Sequence, residues 1–86
     1  MPEISRFLGI IIAMYYNDHE PPHFHARYGE HKAIIALESL RVLDGALPSR
    51  VLGLVLEWVA VHRDELLLDW ERARAKEPLL PIAPLE

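Results

Sequence analysis

The residues with the most chemistry to offer crowd into eight consecutive positions, Asp18-His19-Glu20-Pro21-Pro22-His23-Phe24-His25. His23 and His25 flank Phe24, so on an extended strand they project from one face, about 6 to 7 Å apart along the chain. Two imidazoles at that spacing have two uses. They can share zinc or another transition metal, with Asp18, His19, Glu20 or His31 as a third ligand and water as a fourth. A His-x-His pair on a strand is a weak metal signal, however, and neither cysteine nor a helical His-Glu-x-x-His pattern accompanies it. No cofactor is therefore expected, and any metal would rest on His23 and His25. The other use is metal-free: one imidazole accepts a proton while another donates one, with Asp18 or Glu20 orienting a ring and Arg27 facing a phosphate or other anion. A catalytic set of His23, His25, His19, Asp18 and Arg27 would suit cleavage of RNA through its ribose hydroxyl, with Tyr15, Tyr16 or Tyr28 stacking or donating a hydrogen bond. The plainer reading, which these residues favour, is that Asp18 and Glu20 satisfy the histidines and hold the proline-rich turn.

Those positions need a frame. His23-Phe24-His25-Ala26-Arg27-Tyr28 alternates, which predicts a strand over 23–28 with Phe24, Ala26 and Tyr28 toward apolar neighbours. Lys32 to Leu37 reads as another strand, with a marginal one over 41–43. Upstream, the β-branched and aromatic run predicts a strand over about 4–16. Both of its alternating sets are apolar, Ile10, Ile12, Met14 and Tyr16 on one side and Ile11, Ala13 and Tyr15 on the other. Such a strand should be covered on both faces, one by a helix and one by the C-terminal tail or a partner.

The helical signal follows. Val51, Val55, Trp58, Val59, Leu66, Trp70 and Ala73 recur at three- and four-residue steps, with His62 filling the gap. The pattern predicts a helical region over about 48–76, opened by a turn at Asp44-Gly45 and by Pro48 at the first helical position. It is either one helix bent near Asp64 or a pair broken near His62-Arg63-Asp64. A straight helix of that length, about 40 Å, would overhang so small a core, so its far end is expected to meet another chain. Trp58 and Trp70, with Val55 and Leu66, would anchor that contact or form the domain's own core. Asp64, Glu65, Asp69 and Glu71 read as a wet helix face, and His62 as a packing residue. Pro78, Pro81 and Pro84 rule out further helix, leaving an extended, leucine-rich tail over 78–86 that packs on its own domain or on a sister subunit. The fold class is α+β: one domain over 1–86, a three- or four-stranded antiparallel meander, a long bent helix or helix pair, and the tail.

The chain has 86 residues and a formal charge of −4, from thirteen acids against nine bases. That length permits one modest core. The acidic balance disfavours a surface that coats nucleic acid, though a small basic patch is allowed. The lack of cysteine fits a reducing, cytoplasmic compartment, and no run is long enough to span a membrane.

Tyr16-Asn17-Asp18-His19, Pro21-Pro22-His23-Phe24-His25-Ala26 and Tyr28-Gly29-Glu30, followed by Leu47-Pro48, Glu57-Trp58, His62 and Trp70, together resemble a small bacterial and archaeal family, the domain of unknown function 4160 (DUF4160). The resemblance covers nearly the whole chain. It implies a two-protein module, of the kind sometimes suspected to be a toxin-antitoxin pair, because such chains are often encoded beside another small protein. On that footing Asp18, His19, His23 and His25 would form the active surface and the leucine-rich helix the partner surface. The leading expectation is an interaction protein that self-associates or joins a small protein partner. A histidine-dependent ribonuclease or toxin component is the alternative, and a small metal-binding protein the second alternative.

Overall fold

The computed structural model describes residues 2–85; Met1 and Glu86, the ends of the expected domain and tail, lie outside it. Five strands form one antiparallel sheet in chain order: β1 (Glu3–Phe7), β2 (Ile10–Ala13), β3 (His23–Tyr28), β4 (His31–Ala36) and β5 (Val42–Ala46), followed by the helix α1 (Ser49–Arg74). The α+β class and the meander are as the sequence predicts, but the strand count is five. The run expected as one strand over 4–16 is a hairpin. Leu8 and Gly9 both take positive φ, +51° and +80°, so Phe7 pairs with Ile10 across a two-residue turn. The strand expected over 41–43 covers 42–46, and Asp44-Gly45 lies inside it rather than in a turn. Leu43 is an extra residue against β4, whose Ile34 and Ile35 pair with Asp44 and Val42. Gly45 has φ +77°, and a Cβ there would stand 2.1 Å from the Lys32 carbonyl oxygen. Only glycine fits that approach.

Alternation sorts the sheet into two faces. Ile10, Ile12, Phe24, Ala26, Ala33 and Ile35 point into the core, where they join Val51, Val55, Trp58, Val59, Leu66 and Trp70 of α1. Phe7 and Phe24 meet the Trp58 ring at centroid distances of 5.4 and 6.4 Å. At about 1.5 Å per residue, 26 helical residues would run roughly 39 Å, against an extent of 33 Å along the longest principal axis of the Cα trace. The helix bends. His62 leaves helical geometry (φ −115°, ψ 22°), two residues before the expected site, and Glu65 Oε1 reaches back to its Nδ1 at 2.6 Å. The bend brings the second half onto the core, so Trp70 and Ala73 are buried and the predicted overhang is gone. Pro48 is the N-cap rather than the first helical residue, so the helix starts one residue later than expected, and the Pro48 carbonyl accepts from the Leu52 N–H. At the other end Lys76 takes φ +58° while the Lys76 and Glu77 N–H groups donate to the Ala73 and Arg72 carbonyls. This is a Schellman closure with lysine where glycine is usual.

The tail turns back along the helix side. The Leu80 N–H donates to Asp69 Oδ1 at 2.9 Å, the Ile82 N–H to the Ile4 carbonyl at 2.8 Å, and Trp58 Nε1–H to the Ala83 carbonyl at 2.8 Å. Ile82 is buried. Asp69, expected on a wet helix face, is therefore an interior residue that receives the tail. These tail hydrogen bonds lie on the helix side and at β1; on the outer side of β2, expected to be covered, Ala13 is buried and Ile11 half-buried.

Candidate functional site

β3 carries the histidines because its alternate residues cannot turn outward. Phe24 and Ala26 are locked in the core, which sends His23, His25 and Arg27 to the other side. The turn before β3 brings Asp18 back over them. Asp18 Oδ2 lies 3.0 Å from His23 Nε2 and 3.0 Å from His25 Nε2, so one carboxylate oxygen bridges both rings. His23 Nδ1 lies 2.8 Å from the Pro21 carbonyl oxygen. Aromatic walls fix both rings: Trp70 stands 5.1 Å from His23, centroid to centroid, and Tyr15 meets His25 edge-on at 4.5 Å. The His23 side chain is 11 % exposed, His25 27 % and Asp18 25 %, so the group opens to solvent on its Asp18–His25 side.

The proton count of this group is informative. A carbonyl oxygen can only accept, so His23 Nδ1 carries the hydrogen in its bond to Pro21. A neutral ring would then aim the bare Nε2 lone pair at a carboxylate, which repels it. His23 Nε2 and Asp18 Oδ2, at 3.0 Å, thus need a hydrogen or a cation between them. His25 can donate from Nε2 in its neutral form.

His25 also belongs to a second feature. An open concavity of about 230 Å³ lies on the outer face of the sheet, lined by residues of β2 to β5 together with Tyr15. Ile11, Ala13 and Ile34 supply its apolar floor, and His25, Arg27, Lys32 and Asp44 its polar wall. Arg27 and Lys32 are direct cross-strand partners, and among the described residues neither makes an ion pair.

The predicted residues thus separate. Asp18, His23 and His25 converge, and Arg27 stands on the same sheet face. His19 and His31 are exposed and outside the cluster. Glu20 pairs with Arg74 instead of a histidine. Val55, Trp58, Leu66 and Trp70 are all within the chain's own core, at most 2 % exposed, which leaves them no surface for a partner. His62 packs on Trp58, ring centroids 5.5 Å apart. Sequence reasoning missed the Pro21 carbonyl, Lys32 and Asp44. The last two reach the face through strand register alone, a signal no short motif carries. It also missed Asp69, whose carboxyl burial pushes up from the ordinary carboxylate range, while the Leu80 N–H and Arg72 pull it down and Glu65 adds to the rise.

Residues 9–71 match the family model described as Domain of unknown function (DUF4160), and the chain belongs to that family. No curated protein and no solved structure matches it. No helix among the described residues is long and apolar enough to cross a membrane.

Proposed function

We propose that this DUF4160 member is a small interaction module that binds a protein partner, a second copy or the other half of a two-protein assembly, through the outer face of its sheet. The observation that supports this reading is the concavity on the outer face, where Ile11 and Ile34 are only half-buried, on strands whose opposite side is packed in the core. Strands about 4.8 Å apart and at most six residues long make a face of roughly 19 by 20 Å. A stable interface takes about 800 Å² from each partner, so the contact extends onto the free edge of β5, where Val42 and Leu43 are 38 % and 49 % exposed. Arg27 and Lys32 at the rim, with Asp44 opposite in sign beside them, favour a partner surface of complementary charge. The test is native mass measurement of the chain produced with the protein encoded beside it, for wild type and Ile34→Arg. A defined complex that Ile34→Arg dissolves, with the circular dichroism of the free chain unchanged, is the expected result. A wild-type monomer at working concentration, or a complex indifferent to Ile34→Arg, would overturn it.

A second reading has its own support. His25 shares its face with two cations that have no ion-pair partner among the described residues, an arrangement that suits a phosphodiester, so the alternative function is histidine-dependent RNA cleavage by a toxin component. It requires RNA cleavage by the wild type that His25→Ala abolishes without unfolding the chain; an inert wild type refutes it.

A further inference from the structure

We infer that Asp18, His23 and His25 form a binding site for a divalent transition-metal ion of the zinc class. The three ligating atoms, one carboxylate oxygen and two imidazole nitrogens, all lie within 4.8 Å of one another. Tetrahedral zinc, with bonds of about 2.0 to 2.2 Å, holds its ligand atoms roughly 3.3 Å apart. The two nitrogen–oxygen distances of 3.0 Å need to open by only a few tenths of an ångström to reach that spacing. Asp18 sits on the turn before β3 and half-exposed, so the carboxylate is free to make that adjustment.

The hydrogen bonding around the group favours the ion independently of the distances. The Nδ1–H bond to the Pro21 carbonyl fixes the tautomer of His23 and aims the Nε2 lone pair inward, the outer bond that metal-ligating histidines habitually make. A cation between Nε2 and Oδ2 turns that lone-pair repulsion into two favourable bonds. Trp70 and Tyr15 hold the two rings in place, so little side-chain freedom is lost on binding. The ligand set is two imidazoles and one carboxylate with no thiolate, which suits zinc and its first-row neighbours and argues against magnesium or calcium. Three protein ligands leave the coordination incomplete. The fourth ligand is a water or a group carried by whatever occupies the adjoining sheet face.

The test uses the full chain, stripped with a chelator and titrated with zinc by calorimetry and with cobalt(II) by visible absorption. The expected result is one ion per chain, a saturable cobalt band of four- or five-coordinate intensity, and a rise in thermal midpoint with zinc. His25→Ala lies on the exposed side of the group and should leave the circular dichroism intact. It should weaken zinc by more than the roughly 10- to 100-fold typical of losing an outer-shell partner. Asp18→Asn, which keeps the size and one acceptor, should weaken it as well, whereas His31→Ala should not. No saturable binding by the wild type, or binding that survives both His25→Ala and Asp18→Asn, overturns the proposal. Because the readouts are metal stoichiometry and spectra, failure here leaves the partner reading of the sheet face standing, and loss of the partner leaves the metal site standing.

Discussion

Replacing Ile82 by alanine should cost about 2 to 3 kcal/mol of folding stability. The side chain is 4 % exposed and packs into the main core cluster from the tail. The substitution removes three carbons, each contributing about 0.8 kcal/mol when buried, or roughly 2.4 kcal/mol in transfer terms. A rigid site would add a cavity term, but a segment this close to the chain end relaxes into the space, so the transfer figure nearly stands alone. For a domain this size each kcal/mol moves the thermal midpoint about 4 to 8 °C, so the midpoint should fall by about 10 to 20 °C. Urea titration followed by tryptophan fluorescence reads the change directly, since Trp58 and Trp70 lie beneath the tail and in the core. Val61→Ala, at a position 71 % exposed on the helix, is the control and should shift stability by less than about 0.5 kcal/mol. If Ile82→Ala changed stability no more than that control, the tail would not be docked. Trp58 would then lose the bond from its Nε1–H to Ala83 and stand open, and the helix flank would return as a partner surface.

Asp69→Asn keeps an acceptor for the Leu80 N–H but has no proton to lose. Because burial raises the Asp69 carboxyl in the folded chain, the wild type holds its full stability below the unfolded carboxylate value, about 4, and loses some as pH rises through the raised folded value. The variant should therefore gain on wild type in urea midpoints as pH rises above about 4; a difference independent of pH would show that charge is not the cause. Gly45→Ala should destabilise by about 1 to 3 kcal/mol and speed amide exchange across β5, because the new methyl meets the Lys32 carbonyl at positive φ. Gly53→Ala is its opposite: the site is helical with open space around it, and denaturation should show a gain approaching 1 kcal/mol.

What the residues announced and what they withheld follows from how local each feature is. β3 was legible to both of its ends because its alternation is uninterrupted and a turn glycine follows it. The β1–β2 hairpin was hidden because the first turn position is Leu8, where Asn, Asp or Gly would have advertised a positive φ, and Gly9 alone does not mark a turn. Asp44-Gly45 misled for the converse reason: the pair looks like a turn, yet Gly45 serves a close backbone approach within a strand. The Asp18–His23–His25 group was readable because all three lie within eight residues. The concavity was not, since Lys32 and Asp44 reach it by cross-strand register. Asp69 was misread because its burial depends on a tail eleven residues further on, which helical periodicity along α1 does not encode.

The distribution of charge explains why a net value of −4 is a poor guide to the working surface. Glu57, Asp64, Glu65 and Glu71 are exposed on α1, on the other side of the sheet from Arg27 and Lys32. Arg27 and Lys32, with Asp44 beside them, therefore present a local charge pattern that the net value hides, and its reach is short, screened within about 8 Å at physiological salt. The same alternation that separates the charges also gives the site its rigidity. A one-residue slip of β3 would carry Phe24 and Ala26 to water and drive His23 and His25 into the core. Exposing Phe24 alone would forfeit about 1.5 to 3 kcal/mol, comparable to or more than the hydrogen bonds to Asp18, at about 0.5 to 1.5 kcal/mol each or somewhat more if charged. The histidines are placed by the apolar residues between them rather than by their own bonds. For that reason His25 can be removed to question the chemistry without dismantling the fold that presents it.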